Sequence, residues 1–240
     1  MTQRWIAEFP IRSKRYSRIV AISDMVKRHM AGHYNLADDS IDVVYNGVDT
    51  ERFRPAAAMP DGPPRILFSA GNFRLKGLSP LLSALGEVSK ETKDFRLMVM
   101  GRGRKARYME MIDALNIADN VTFLGESSSP ENVYRDAHML VHPTFYDACS
   151  LTTMESMASG LPTITTKWNG AATLISENEG YVIDEPRDVG SLASAIKALL
   201  DKDRIRSMGA AARSKLENFT IEKNATAMER ICQEAADSKR

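Results

Sequence analysis

Short apolar runs alternate with longer amphipathic stretches along most of this chain. Six runs, at 65–70, 95–100, 121–124, 139–142, 163–165 and 181–183, are too short for helices and apolar at successive positions. That is the pattern of strands in a parallel sheet covered on both faces. The intervals carry helical spacing at about 77–90, 104–116, 131–137, 151–159 and 188–200, and two more helices are expected near 203–217 and 221–236. Regular strand–helix alternation predicts an α/β fold, a doubly wound parallel sheet. Ligands of such sheets bind beyond the carboxyl ends of the strands, so the loops after the strands are where chemistry is sought.

The first part of the chain is less regular. Residues 18–22 and 41–45 read as strands, Ser23 as the cap of a helix reaching about Gly32, and Asn46-Gly47 as a turn. Residues 54–64 hold four prolines, Pro55, Pro60, Pro63 and Pro64, which excludes one regular element throughout and marks a linker. Two strands and one helix are too little to bury a core of their own. The expected organisation is therefore a remnant of another domain over 1–54, a linker over 55–64, a ligand-binding domain over 65–218 and a closing helix over 219–240.

Composition narrows the class. A hydrophobic share of 43% and a charged share of 26% are those of an ordinary soluble globular protein, and a net charge of +1 gives no reason to expect nucleic acid as a partner. Cys149 and Cys232, the only cysteines, form neither a disulfide framework nor a zinc cluster, which fits a reducing cytoplasm. No apolar run approaches the roughly 20 residues of a membrane-spanning helix, and the opening MTQRWIAEFPIRSKRYSR lacks the apolar core of a signal peptide. The expected location is cytoplasmic, including peripheral contact with the inner face of the cell membrane.

The strongest chemical signal is His142-Pro143-Thr144-Phe145-Tyr146-Asp147-Ala148-Cys149-Ser150-Leu151-Thr152-Thr153-Met154-Glu155, running on to Gly160-Leu161-Pro162. A strand ends at His142, a loop carries Asp147, and a helix starting near Ser150 carries Glu155 about one turn inside. Free backbone N–H groups and the positive end of a helix dipole lie between the two acids. Asp147 can accept from sugar hydroxyls, the amides of Ser150, Leu151 and Thr152 can hold a phosphate, and Glu155 can accept from ribose. The plain alternative is a loop acid and a solvated helical glutamate. The second signal is Ser69-Ala70-Gly71-Asn72-Phe73-Arg74-Leu75-Lys76-Gly77, where Gly71 eases a tight turn and Arg74 and Lys76 place two cations at a strand's carboxyl end. A diphosphate is their natural partner; a basic surface loop is the alternative. Gly101-Arg102-Gly103 lacks the third glycine of a dinucleotide fingerprint and reads as a structural turn. His29 and His33 share a helical spacing but read as a packed or solvated face. Asp201-Lys202-Asp203 falls between helices and reads as a helix boundary.

These motifs resemble the acid-x7-acid segment of family 4 retaining glycosyltransferases of the GT-B fold, including the following Ala-x-Gly-x-Pro. The resemblance implies that Glu155 binds the nucleotide ribose and Asp147 the donor sugar. Two departures are Asp147, where the family usually has Glu, and Ser150, where it often has Gly. The 71–77 segment is similar to that of lipopolysaccharide-core glucosyltransferases of the same family, implying that Arg74 and Lys76 bind the donor diphosphate. Residues 121–125 resemble the stretch before the family's nucleobase pocket. Residues 18–23 and 44–55 resemble the end of its N-terminal domain and the crossover into its C-terminal domain. The family's glycine-rich loop and catalytic-region histidine have no counterpart, and His29, His33, His138 and His142 do not substitute for them. The resemblance therefore implies a Rossmann-like donor-binding half with the acceptor half missing.

The expected activity is transfer of a hexose with retention from a nucleotide sugar, a UDP-sugar, to a glycan or lipid-linked acceptor of cell-surface polysaccharide or lipopolysaccharide synthesis. Asp147, Arg74 and Lys76 are the candidate catalytic residues, and Gly71, Arg74, Lys76, Ser150, Leu151, Thr152 and Glu155 the candidates for holding the donor. No metal and no cofactor are expected. A separate N-terminal domain or a second copy of the chain is an expected partner, the latter because Ile221, Met228 and Ile231 of the last helix should be exposed or paired with another chain. The rivals are a donor-binding domain without turnover, one subunit of a split transferase, and a GT-B sugar-nucleotide epimerase.

Overall fold

The computed structural model describes Ile11, Ser13 and residues 16–237; residues 1–10, 12, 14, 15 and 238–240, which belong to the first and last expected segments, lie outside the described residues. The chain opens with β1 (Ile19–Ala21), α1 (Asp24–Tyr34) and β2 (Ile41–Val43), with β1 and β2 paired in parallel. The main sheet has six parallel strands: β3 (Arg65–Ser69), β4 (Arg96–Met100), β5 (Val121–Gly125), β6 (Met139–His142), β7 (Thr163–Thr166) and β8 (Gly180–Ile183). Their spatial order is β5-β4-β3-β6-β7-β8. The helices are α2 (Leu78–Ser89), α3 (Ala106–Ala114), α4 (Pro130–Asp136), α5 (Leu151–Ala158), α6 (Val189–Ala198), α7 (Lys202–Leu216) and α8 (Ile221–Asp237). Among the described residues no helix is long and apolar enough to cross a membrane.

The successive apolar positions have a direct cause. Alternate residues of a strand point to opposite faces. Ile66, Phe68, Leu97, Val99, Met139 and Val141 enter a core under α2, α3 and α6, whereas Leu67, Met98, Met100 and Leu140 enter a second core with residues of α4, α5 and α7. The edge strands depart from that expectation: Leu124 of β5 is 42% exposed and Val182 of β8 is 41% exposed, because an edge strand is covered incompletely. In α2, Leu78, Leu81, Leu82 and Leu85 are fully buried. At about 1.5–3 kcal/mol per side chain, their burial fixes the start of α2 and with it the loop after β3.

The sheet's order contains a reversal. From β3 the chain steps outward through β4 to β5, returns to place β6 against the other side of β3, and steps the other way through β7 to β8. Right-handed crossovers then send α2 and α5 to opposite faces. The loops leaving β3 and β6 diverge and leave a crevice at their carboxyl ends.

The N-terminal unit has a small cluster of Ile19, Ala21 and Ile41 and is tied to the main sheet's loops by hydrogen bonds. Ser23 caps α1, its Oγ accepting from the Val26 N–H at 3.2 Å while donating to the Ala148 carbonyl at 2.6 Å. Asn46-Gly47 is not a turn. Asn46 donates to the Cys149 carbonyl at 3.2 Å, and Gly47 passes so close to the backbone of Thr220 and Ile221 that a Cβ would lie 2.6 Å from the Thr220 oxygen. The closing helix departs further from expectation. Ile221 is 50% exposed, but Ile231 is only 3% exposed, since α8 runs back along the N-terminal unit, with Asn224 donating to the Tyr45 carbonyl and Arg18 pairing with Glu234 at 3.2 Å.

Three glycines fix the loops at the crevice. Gly101 and Gly103 let the turn after β4 press against the Ala70 carbonyl and the Phe73 ring, where side chains would collide. Gly77 is left-handed, with φ 84, and a Cβ there would run into the Pro143 carbonyl oxygen. Gly77→Ala is expected to destabilise the fold by at least about 2 kcal/mol, combining the left-handed cost with a forced backbone shift. Gly71→Ala, with nothing within 4 Å of the new methyl, serves as the control in denaturant titrations. Equal midpoints for the two variants would contradict the role given to Gly77.

Candidate active site

Two loops meet at the β3–β6 crevice, residues 70–77 and 143–150. They are stitched together by the Phe145 N–H donating to the Leu75 carbonyl at 2.9 Å and by the Thr144 hydroxyl donating to the same oxygen at 3.3 Å. Lys76 and Asp147 face each other across this seam, Nζ to Oδ2 at 2.6 Å, and Nζ also donates to the Tyr146 carbonyl at 3.2 Å. The backbone of Asp147 is pinned on its other side. Its N–H donates to the Trp168 carbonyl at 2.9 Å, and its carbonyl accepts from the Gly170 N–H at 2.7 Å.

Arg74 does not join Lys76. Residues 72–77 form a helical turn, with the Lys76 N–H bonded to the Asn72 carbonyl and the Leu78 N–H to that of Phe73. Side chains two residues apart on such a turn point away from each other. Lys76 pairs with Asp147, while Arg74 lines the cleft beside Leu75, Ser79 and Phe145. The expected cation pair is thus divided between two sides of the loop. Gly71 is exposed with open space around it.

The start of α5 is also narrower than expected. Ser150 is its cap, with Oγ accepting from the Thr153 N–H at 3.2 Å, while the Ser150 N–H is committed to the Asn169 Oδ1 at 3.3 Å. Helix geometry leaves the N–H groups of Leu151 and Thr152 without intrahelical acceptors. These two amides, rather than three, are available to an anion. Further along α5, one carboxylate oxygen of Glu155 accepts from the Tyr134 hydroxyl at 2.9 Å. Burial raises the Glu155 pKa above the usual carboxylate value; the Tyr134 hydrogen bond and the Arg52 charge oppose it. Burial, then the Glu155 charge, pushes the Tyr134 phenol well above its usual value, so it stays a donor.

Three supports were not anticipated from the sequence. Asn169, 1% exposed, lies beneath α5. Its Oδ1 accepts from the N–H groups of Ser150 and Ala171, and its Nδ2 donates to the Thr153 and Thr165 hydroxyls at 2.9 and 3.0 Å. Tyr134 arrives from α4, on the other side of the sequence motif. Tyr146, 43% exposed beside Asp147, stacks on His29 of α1 with ring centroids 6.2 Å apart. The other histidines have structural settings. His33 packs edge-on against Tyr34, and the His138 Nδ1 accepts from the Arg65 N–H at 3.0 Å while Nε2 meets the Pro60 carbonyl. Asp201 caps α7, accepting from the N–H groups of Asp203 and Arg204.

Comparison with known proteins identifies the family and the fold. The sequence pattern of the family described as "Glycosyl transferases group 1" matches residues 49–215, and that of "Glycosyltransferase Family 4" matches residues 1–52. A "D-inositol 3-phosphate glycosyltransferase" of Nocardia farcinica is 30% identical over 212 residues, which cover 80% of this chain and 47% of that protein. The chain spans about half the length of the curated relatives it matches. A crystal structure of a glycosyltransferase from Rickettsia africae superposes with a TM-score of 0.82 at 25% identity, covering 91% of this chain and 63% of that one. Staphylococcus aureus TarM, solved as a point mutant with fondaparinux, alpha-GlcNAc-glycerol and UDP, superposes with a TM-score of 0.81. At 16% identity, covering 93% of this chain and 45% of that one, TarM is a likeness of fold.

His142 ends β6 against this site, 1% exposed, with no hydrogen-bond partner for either ring nitrogen. Burial lowers its pKa from 6.5 to about 4; the Lys76 charge acts in the same direction and Asp147 against it. Because the folded value lies below the unfolded one, the unfolded chain takes up this proton first as pH falls. The associated stability is present above about pH 6.5 and lost toward pH 4, up to about 3 kcal/mol. His142→Leu is expected to remove that acid-dependent loss without destabilising the protein at pH 7, where the imidazole leaves two buried polar atoms unpaired. Denaturation of both proteins between pH 7 and 4 checks this; parallel declines would rule His142 out as the cause.

Proposed function

This chain belongs to the glycosyl transferases group 1 family, and on that premise we propose that it binds a nucleotide sugar for transfer of a hexose to a glycan or lipid-linked acceptor. The observation that carries the reading is the convergence, in one crevice, of Lys76, the free amides at the start of α5, Asp147 and Glu155. The donor's diphosphate lies against the Leu151 and Thr152 N–H groups and the ammonium of Lys76. As the bond between sugar and diphosphate breaks, negative charge grows on the leaving diphosphate. Donors already fixed in place stabilise that charge without reorganising. Lys76 has three N–H bonds, so it can keep Asp147 oriented while meeting a phosphate oxygen. Asp147 accepts from the sugar's hydroxyls. Glu155, with one oxygen held by Tyr134, offers the other to the ribose.

Within this reading residues 65–218 are the donor-binding domain, 55–64 is a linker, and 1–54 with 219–240 belong to the side facing the acceptor. The finer version is a UDP-sugar donor, transfer with retention, a lipopolysaccharide-core acceptor and a cytoplasmic site of action at the inner face of the membrane. The resemblance of residues 71–77 to lipopolysaccharide-core glucosyltransferases supports that version.

Titration calorimetry with UDP and UDP-glucose tests the donor site. Lys76→Ala is expected to weaken UDP binding about 10- to 100-fold, the loss of one charge-assisted hydrogen bond at about 1.5–3 kcal/mol. Glu155→Gln should weaken UDP and UDP-glucose alike, and Asp147→Asn should weaken UDP-glucose more than UDP. An unchanged UDP affinity in Lys76→Ala, or equal effects of Asp147→Asn on both ligands, would contradict these roles. Release of UDP from UDP-glucose by the same protein separates turnover from binding alone.

A further inference from the structure

A second cleft opens on the same edge of the sheet, on the other side of the stitched loops. Its volume is about 670 Å³, and its walls include Arg74, Leu75, Ser79, Ser83, Phe145 and Arg187. It lies over the first turns of α2 and α6, which pack side by side on the face of the sheet opposite α5. The seam between Leu75 and Phe145 divides it from Lys76 and Asp147.

The charge in this cleft is unbalanced. Among the described residues neither Arg74 nor Arg187 is within ion-pair distance of a carboxylate. The nearby acids are committed elsewhere. Asp188 caps α6, accepting from the Ser191 N–H at 3.0 Å and its hydroxyl at 2.7 Å, and Asp184 and Glu185 face Lys167 at 3.7 and 3.2 Å. Arg187 is held in place by stacking, its guanidinium 5.3 Å from the centre of the Phe145 ring. A guanidinium stacked on a ring keeps its N–H edge free, and Arg74 lines the same cleft with a second fork, so that together they match the several oxygens of a phosphate. The rest of the wall suits a sugar. Ser79 and Ser83, one turn apart on α2, offer hydroxyls, and Leu75 and Phe145 offer apolar faces for a ring's C–H side. The volume falls in the range of small-molecule sites, about 300–1,000 Å³.

We propose that Arg74 and Arg187 form a second anion site, distinct from the donor crevice, that binds the phosphate of a phosphorylated sugar. The sugar lies along Phe145 and Leu75. The site stands independently of the donor reading, since it requires neither Lys76 nor Glu155. If that reading holds as well, the second site faces the same edge as Asp147, where a phosphorylated acceptor would be gripped two residues from the acid.

Glucose 6-phosphate, glucose, inorganic phosphate and UDP, each titrated calorimetrically into the full chain at fixed ionic strength, test this. Glucose 6-phosphate is expected to bind more tightly than inorganic phosphate, and glucose not to bind over the same range. Arg187→Ala and Arg74→Ala should each weaken glucose 6-phosphate at least tenfold, Arg187→Ala should leave UDP affinity within twofold, and Lys76→Ala should leave glucose 6-phosphate within twofold. Both arginines are exposed, so loss of the fold does not confound the result. Unchanged glucose 6-phosphate binding in both arginine variants overturns the site. Equal weakening of UDP and glucose 6-phosphate by Arg187→Ala overturns its separateness, as does weakening of glucose 6-phosphate by Lys76→Ala. Inorganic phosphate binding as tightly as glucose 6-phosphate overturns the sugar half of the proposal. If UDP fails to bind while the arginine-dependent glucose 6-phosphate site persists, the donor reading falls and this one stands.

Discussion

Between β3 and β6 the winding of the sheet changes direction, and that reversal is the constraint on which the rest of the molecule depends. Parallel strands joined by right-handed crossovers cover one face for as long as the chain steps one way. When β6 returns to lie against β3, its helix must go to the opposite face, and no helix crosses the gap between the two strand ends. The loops leaving β3 and β6 are then close enough to be stitched at Leu75 and Phe145 and free enough to present Lys76 and Asp147 to each other. Gly77 and Pro143 meet at this seam with no room for a side chain. The site is therefore a consequence of topology, and the residues that fill it are local adjustments to a gap the sheet makes unavoidable.

Support for that gap comes from buried polar groups that are almost fully satisfied. Asn169 makes four hydrogen bonds that reach β7, the start of α5 and its own turn, so the helix end cannot rotate without breaking several of them. A network of this kind specifies one arrangement only if every member is paired. Among the described residues His142 is the exception at the crevice, with two unpartnered nitrogens at the end of the central strand β6; Ser159 Oγ is unpartnered too, at the far end of α5. An unsatisfied buried group costs about 1–3 kcal/mol, and the surrounding apolar packing of both sheet faces tolerates it. The contrast separates a polar group that holds the site together from one that the fold carries at a loss.

The strands and helices were legible because burial on two faces leaves an apolar imprint at successive positions, and a run that short, bounded by turn residues, fits a strand better than a helix. The order of the strands was not, since pairing joins residues such as Leu67 and Leu140 that are far apart in sequence. Asp147, Ser150 and Glu155 could be placed in one loop-and-helix segment because they are neighbours along the chain. Their supports could not: Tyr134 and Asn169 come from separate elements, and a Tyr inside a short helix or an Asn before a Gly carries no mark of its partner. Arg74 parts from Lys76 for a local reason. Spacing of two residues puts side chains together on a strand and apart on a helical turn, and the 72–77 segment takes the turn. Ile231 misled for a tertiary one, because its burial depends on α8 lying along the N-terminal unit, where Arg18 meets Glu234.

Charge explains why anions are drawn to this edge although the chain as a whole is nearly neutral. In a parallel α/β fold every crossover helix begins at the carboxyl end of the strands, so the positive ends of the helix dipoles gather on one side of the sheet. The first turns of α2, α5 and α6 open there, and Arg74, Lys76 and Arg187 stand among them. A net charge of +1 over the whole chain means that these cations are balanced by acids elsewhere. The attraction is therefore short in range at physiological salt, where screening acts within about 8 Å. It acts as capture at the surface of the cleft and contributes little to steering from a distance. Lys76 is tempered by Asp147 at 2.6 Å, which keeps one cation oriented and partly neutralised, while Arg74 and Arg187 stay unbalanced. Of the two clefts on this edge, the one without an acid presents the stronger field, and the one with an acid can distinguish a hydroxyl-bearing ligand from a bare anion.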